Sequence, residues 1–134
     1  AVWGLASKPD TDDTREAPSA VVIEELVSRG ASVSAYDPVV KSLPGAMEVL
    51  HGADALVICT EWKEFRSPDF AAIKAALREP VVFDGPNMFL PETVAAAGLE
   101  YHAIGRLTNG LNGLRAVDVA GEPRRYFVPL DEAA

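Results

Sequence analysis

The chain has 134 residues, 49% of them hydrophobic, which is enough for one domain with a substantial core and too apolar for a disordered segment. Its formal net charge of −8 disfavours nucleic acid and anionic membranes as partners, since both reward a basic surface. The single cysteine rules out an internal disulfide framework, and no apolar run reaches the roughly 20 residues of a membrane helix. No basic segment precedes an apolar one as in a secretory signal, so the cytoplasm is the expected compartment.

Five apolar runs of strand length alternate with helix-like segments. The first, Ala1–Leu5, begins without a lead-in, which reads as a piece cut from a longer chain. A charged loop follows, and Pro18–Arg29 is predicted helical, with Val22, Ile23, Leu26 and Val27 on one face, Pro18 at its start and Gly30 just past its end. Ser32–Tyr36 is the second strand and Met47–Leu50 a short helix. Ala55–Cys59 is the third strand, apolar throughout as expected for a strand buried on both faces. Phe70–Leu77 is the next helix, with Asp69 or Ser67 as its cap. Val81–Phe83, the helix Pro91–Ala97 and Tyr101–Ile104 complete the alternation.

This order predicts an α/β fold, a doubly wound, Rossmann-like, mainly parallel five-stranded sheet with helices on both faces. The expected strand order, 2-1-3-4-5, puts a topological switch point beside the end of strand one, where open sheets bind ligands. Residues 1–106 form the expected domain, and residues 107–134 an extension, either a hairpin about Ala-Gly-Glu-Pro or a flexible tail.

Lys8 follows strand one, where a cation reaches a phosphate in the crevice; a solvated loop lysine is the plainer alternative. The loop Asp10-Thr-Asp12-Asp13-Thr-Arg15 lacks a glycine-rich phosphate cradle, and its carboxylates repel a pyrophosphate, so strand one is a poor NAD site. The same acids lack the spacing of a calcium loop, and no metal is expected. They are expected instead to cap backbone amides ahead of the helix and to pair with Arg15. Asp37 ends strand two, where dinucleotide sites place a ribose-binding acid, but in Tyr-Asp-Pro it also reads as a simple turn. Cys59 reads as a small core hydrophobe, Trp3 and Trp62 as packing residues, and His51 and His102 have no catalytic or metal partner pattern.

Four ordered strings resemble one family, the UDP-glucose 6-dehydrogenases within the UDP-glucose/GDP-mannose dehydrogenase group, in their C-terminal UDP-binding domain. Gly4-Leu-Ala-Ser-Lys8-Pro-Asp-Thr-Asp12-Asp13-Thr-Arg15-Glu-Ala-Pro-Ser19 resembles the family's Gly-Leu-Ala-Phe-Lys-Pro-x-Thr-Asp-Asp-x-Arg-Glu-Ala-Pro-Ser. Thr60-Glu61-Trp62-Lys-Glu-Phe, Phe83-Asp84-Gly85-Pro86-Asn87 and Tyr101-His-Ala-Ile-Gly-Arg106 resemble the other three. The resemblance implies that Lys8 contacts the UDP moiety with Ser7 beside it. It gives Asp12, Asp13, Arg15, Glu61, Trp62, Asp84, Gly85 and Asn87 the part of loop support, and Asp37 that of scaffold.

The resemblance further implies a parent enzyme that oxidises UDP-glucose to UDP-glucuronate with two NAD, a homo-oligomer built on a central dimerising helix. The catalytic cysteine and the NAD domain fall outside this sequence, so the piece itself is expected to be inert and to bind a UDP-sugar without NAD. Two departures stand out: the family's Phe is Ser7 here, and its nucleotide-contacting Arg is Pro86. Either the nucleotide is then held mainly through other domains or the ligand has changed; the two departures support an alternative, a scaffold that has lost the nucleotide, and a further alternative is the same domain of a different UDP-sugar dehydrogenase.

Overall fold

The computed structural model describes residues 1–103. The expected extension at 107–134 lies outside the described residues, as do 104–106. The elements are β1 (Val2–Trp3), α1 (Pro18–Ser28), β2 (Ala35–Tyr36), β3 (Leu56–Ile58), α2 (Phe70–Ala76), β4 (Val81–Asp84), α3 (Pro91–Ala96) and β5 (Glu100–Ala103). Short 3-10 turns at Glu48–Leu50 and Lys63–Phe65 interrupt the loops after β2 and β3.

The sheet has the order β2-β1-β3-β4-β5 with every pair parallel, as the alternation of elements predicts. Register runs straight across it: Trp3 pairs with Tyr36 and Ile58, Ile58 with Asp84, and Asp84 with Ala103. The chain steps one way from β1 to β2 and the other way from β2 onward. Right-handed crossovers therefore put α1 on one face and α2 and α3 on the other. The main core fills the second face: Trp3, Leu56, Ile58, Val82 and Tyr101 from the strands meet Leu50, Phe65, Ile73, Val94 and Leu99. The ring of Trp3 stacks on Phe65 with centroids 4.9 Å apart.

Several boundaries differ from expectation for local reasons. β1 stops at Trp3, because Gly4 turns to a φ of 92° and the amides of Leu5 and Ala6 leave the ladder. β2 is shorter than Ser32–Tyr36, since it is an edge strand and pairs only with the two residues of β1. The expected helix at Met47–Leu50 is a 3-10 turn over Glu48–Leu50. β5 begins one residue early, at Glu100, whose amide donates to Pro80 O at 2.7 Å. On α1, Val22, Ile23 and Leu26 are half-buried, but Val27 is 54% exposed and falls off the apolar face assigned to it.

Candidate functional site

The strand order reverses at β1, and the carboxyl ends of β1 and β3 beside such a switch point are where open α/β sheets take a ligand in a crevice. The turn after β1 borders that crevice and is held from three sides. A Cβ on Gly4 would lie 2.6 Å from the Cβ of Thr60, so only glycine allows the two loops this close. The Thr60 hydroxyl donates to Ala6 O at 2.6 Å, and the Ser19 hydroxyl donates to Leu5 O at 2.8 Å. The amides of Leu5 and Ala6 donate to Asp37 Oδ2 at 2.7 and 3.0 Å. Lys8 emerges from this turn exposed to solvent, and among the described residues no carboxylate pairs with it at ion-pair distance.

The loop beyond Lys8 is shaped by one of its acids. Asp13 accepts from the amide of Arg15 at 2.9 Å, and the Arg15 guanidinium grips both of its oxygens at 3.0 and 2.8 Å. Those side-chain and backbone bonds from Arg15, with a smaller contribution from the charge of Lys8, hold the Asp13 carboxyl below its usual range. The loop closes where Ser7 N donates to Asp13 O at 2.7 Å. Asp10 and Asp12 take no such part: both are exposed, and Asp10 sits at a φ of 63°. The expectation that the acids together cap the approach to the helix therefore holds for Asp13 alone. Helix α1 itself has Ala17 at its N-cap and no side-chain cap, with Pro18 supplying the preset φ of a first turn.

The residues after β3 and β4 are mostly internal. Trp62 is 7% exposed, lies in the core and donates through Nε1 to Asp37 Oδ2 at 3.3 Å, so it packs and does not offer a stacking face. Glu61 faces solvent and pairs loosely with Arg66 at 3.7 Å. Asp84 is 1% exposed; its Oδ2 accepts from the amides of Met88 and Phe89 at 2.7 and 3.1 Å and from the Tyr101 hydroxyl at 2.6 Å. Gly85 N donates to Ile58 O at 3.0 Å, and a Cβ at Gly85 would sit 3.0 Å from that same oxygen. Asn87 adopts a left-handed φ of 59°, a conformation asparagine tolerates better than most residues. Between them Pro86 brings no charge.

Cys59 lies just past β3, and burial pushes its thiol up to about 12, which leaves almost no thiolate at neutral pH. No group of three or more His, Cys, Asp or Glu among the described residues is arranged to hold a metal ion. The turn after β1 has no glycine-rich cradle, and the acid at the ribose position, Asp37, has both oxygens taken by protein donors. The fixed turn leads to one exposed ammonium, that of Lys8, with Ser7 beside it.

The structure thus brings Ser7, Lys8, Glu61, Trp62, Gly85 and Asn87 to one end of the sheet, with Trp62 and Asp84 turned inward and Arg15 drawn to Asp13. Sequence reasoning left the Ser19 and Thr60 hydroxyls unassigned and gave Asp37 two readings, a ribose-binding acid or a turn with a scaffold part; the structure turns its carboxylate inward onto protein donors.

Residues 1–91 match the family model described as the UDP-glucose/GDP-mannose dehydrogenase family, UDP binding domain. A UDP-glucose 6-dehydrogenase of Pseudomonas aeruginosa is 45% identical over 123 residues, covering 79% of this chain and 27% of that protein. One from Bacillus subtilis is 36% identical and covers the whole chain and 30% of its own length. Among solved structures, a UDP-D-ManNAc dehydrogenase from Pyrococcus horikoshii superimposes with a TM-score of 0.72 at 36% identity, over 78% of this chain and 25% of its own. The chain thus spans between a quarter and a third of the length of these relatives. It belongs to the UDP-glucose/GDP-mannose dehydrogenase family and carries that family's UDP-binding domain.

Proposed function

We propose that this chain binds the uridine diphosphate of a UDP-sugar in the crevice beside β1, with the Lys8 ammonium on the diphosphate and Ser7 next to it. The observation that carries this reading is the locked turn, which leads to a cation that no carboxylate among the described residues pairs with at ion-pair distance, at the switch point of the sheet. The remaining loop residues, Asp13 with Arg15, Glu61 and Trp62, and Asp84 with Gly85 and Asn87, give the crevice its shape. The longer protein is a UDP-glucose 6-dehydrogenase that converts UDP-glucose to UDP-glucuronate. NAD, held on a separate N-terminal domain, accepts the hydrides. This domain closes one wall of the cleft and has no catalytic residue of its own. A central helix makes the parent a homo-oligomer, and the assembly works in the cytoplasm; among the described residues no helix is long and apolar enough to cross a membrane.

A second reading, a dehydrogenase of another UDP-sugar, is favoured by the UDP-N-acetyl-D-mannosamine dehydrogenase of Pyrococcus horikoshii, 37% identical over 107 residues. A third, a scaffold that has lost its nucleotide, draws on Pro86. Calorimetric titration of the chain with UDP, UDP-glucose and NAD separates them. The proposal expects both uridine nucleotides to bind and NAD to give no heat. It expects Lys8→Ala to weaken UDP by about ten- to a hundredfold, the worth of one charge-assisted phosphate contact. No uridine binding at millimolar concentration would overturn an autonomous nucleotide site and leave either a domain that needs the rest of the protein or a scaffold without a ligand.

A further inference from the structure

The turn that carries Lys8 has little in its own sequence to fix it. Gly4, Leu5 and Ala6 have no polar side chains, and the turn belongs to neither a helix nor a strand. Its two amides, from Leu5 and Ala6, both point at one oxygen, Asp37 Oδ2, at 2.7 and 3.0 Å. The same oxygen accepts from Trp62 Nε1 at 3.3 Å, and Oδ1 accepts from the amides of Val39 and Val40 at 2.8 and 2.9 Å. A single carboxylate, 4% exposed, thus joins the loops leaving β1, β2 and β3.

We propose that Asp37 is a positioning residue of the nucleotide site, setting through the Leu5–Ala6 turn where the Lys8 ammonium stands. The inference rests on the reading of Lys8 as the diphosphate contact. Asp37 follows β2 directly, so its place is set by the sheet, and bonds to an ionised acceptor are the stronger kind. Lys8 lies only two residues beyond Ala6, a separation too short to absorb a displaced turn. The carboxylate that a dinucleotide-binding sheet turns toward a ribose is here turned inward and used as an anchor. Neutralising it leaves one of the two donor sets, the Leu5–Ala6 amides or the Val39–Val40 amides, facing an amide NH2 instead of an oxygen.

A double-mutant cycle tests this, with UDP affinity measured calorimetrically for the wild-type chain, Lys8→Ala, Asp37→Asn and the double variant, and thermal unfolding recorded for each. Asp37→Asn is expected to weaken UDP by at least about tenfold in protein that still unfolds cooperatively, and to add less than about threefold once Lys8 is alanine. A purely structural role would lower the melting temperature and leave the affinity of the folded protein unchanged, or would weaken it equally on both backgrounds; either result overturns the proposal. Should Asp37→Asn lack a cooperative transition, Trp62→Phe, which removes one N–H and keeps the carboxylate, takes its place. A loss of affinity that disappears on the Lys8→Ala background supports the proposal, and an unchanged affinity overturns it. If wild-type protein takes up no UDP, the reading of Lys8 fails and this role with it. If UDP binds and the cycle is additive, only the positioning role fails.

Discussion

Gly4 decides the site's geometry at the residue scale through two constraints at once. Its φ of 92° turns the chain out of the sheet, and the absence of a Cβ lets Thr60 come close enough for its hydroxyl to reach Ala6 O. Gly4→Ala imposes a strained dihedral and a 2.6 Å clash with a branched side chain of a buried loop. It should destabilise the chain by about 2–4 kcal/mol, seen as a lower denaturation midpoint with an unchanged slope. An equal midpoint would mean that the two loops separate without cost. Lys8 was visible in the sequence as a cation after a strand, and Cys59 as a residue unsuited to chemistry. Asp37 was not visible as an anchor, because its partners are backbone amides, which leave no mark in a sequence. Burial alone would raise the Asp37 carboxyl, but the amides of Val40, Val39, Ala6 and Leu5 outweigh it and hold the group below its ordinary range. Its contribution to stability is therefore full above the ordinary carboxylate range and is lost only as pH falls through the lower folded value.

At the scale of elements the order was legible and the lengths were not. Proline starts and glycine stops mark α1 and α3, and Asp69 accepts from Ala72 N at 3.1 Å as the cap that the sequence offered for α2. Asp69→Ala removes that bond from a seven-residue helix, which has few others to spare. The expected loss is about 0.5–2 kcal/mol in urea unfolding, with UDP affinity unaltered because Asp69 is none of the residues proposed to hold the nucleotide. A change in affinity without a change in stability would contradict this division. The strands came out shorter than their apolar runs, because pairing, and not composition, ends a strand. β1 is limited by Gly4, and β2 by having a partner on one side only. The burial of Val2 and Val81, both 1% exposed or less, shows why an unbroken apolar run remained a sound sign of a two-sided parallel sheet.

For the whole molecule, the expected place for a ligand at the carboxyl ends follows from the strand order; the alternation of strands and helices predicted the parallel pairing, and 2-1-3-4-5 was one of the orders that such an alternation allows. Which ligand it takes depends on a few loop residues, and there the family resemblance supplied what periodicity does not. On the proposed reading, Pro86, which stands where the resemblance has a nucleotide-contacting Arg, is the weakest point of the site. Pro86→Arg should restore a charge-assisted contact and tighten UDP by about ten- to a hundredfold in calorimetry, with a steeper salt dependence. No gain would show that the loop after β4 does not face the diphosphate. The most direct test of the account is to record amide nitrogen–proton spectra of the chain during titration with UDP. The account predicts shifts concentrated at Ser7, Lys8, Thr60 to Lys63, Gly85 and Asn87, with the opposite end of the sheet, around Gly30, Gly52 and Gly98, unmoved. Shifts at that opposite end, or none at saturating nucleotide, would contradict it.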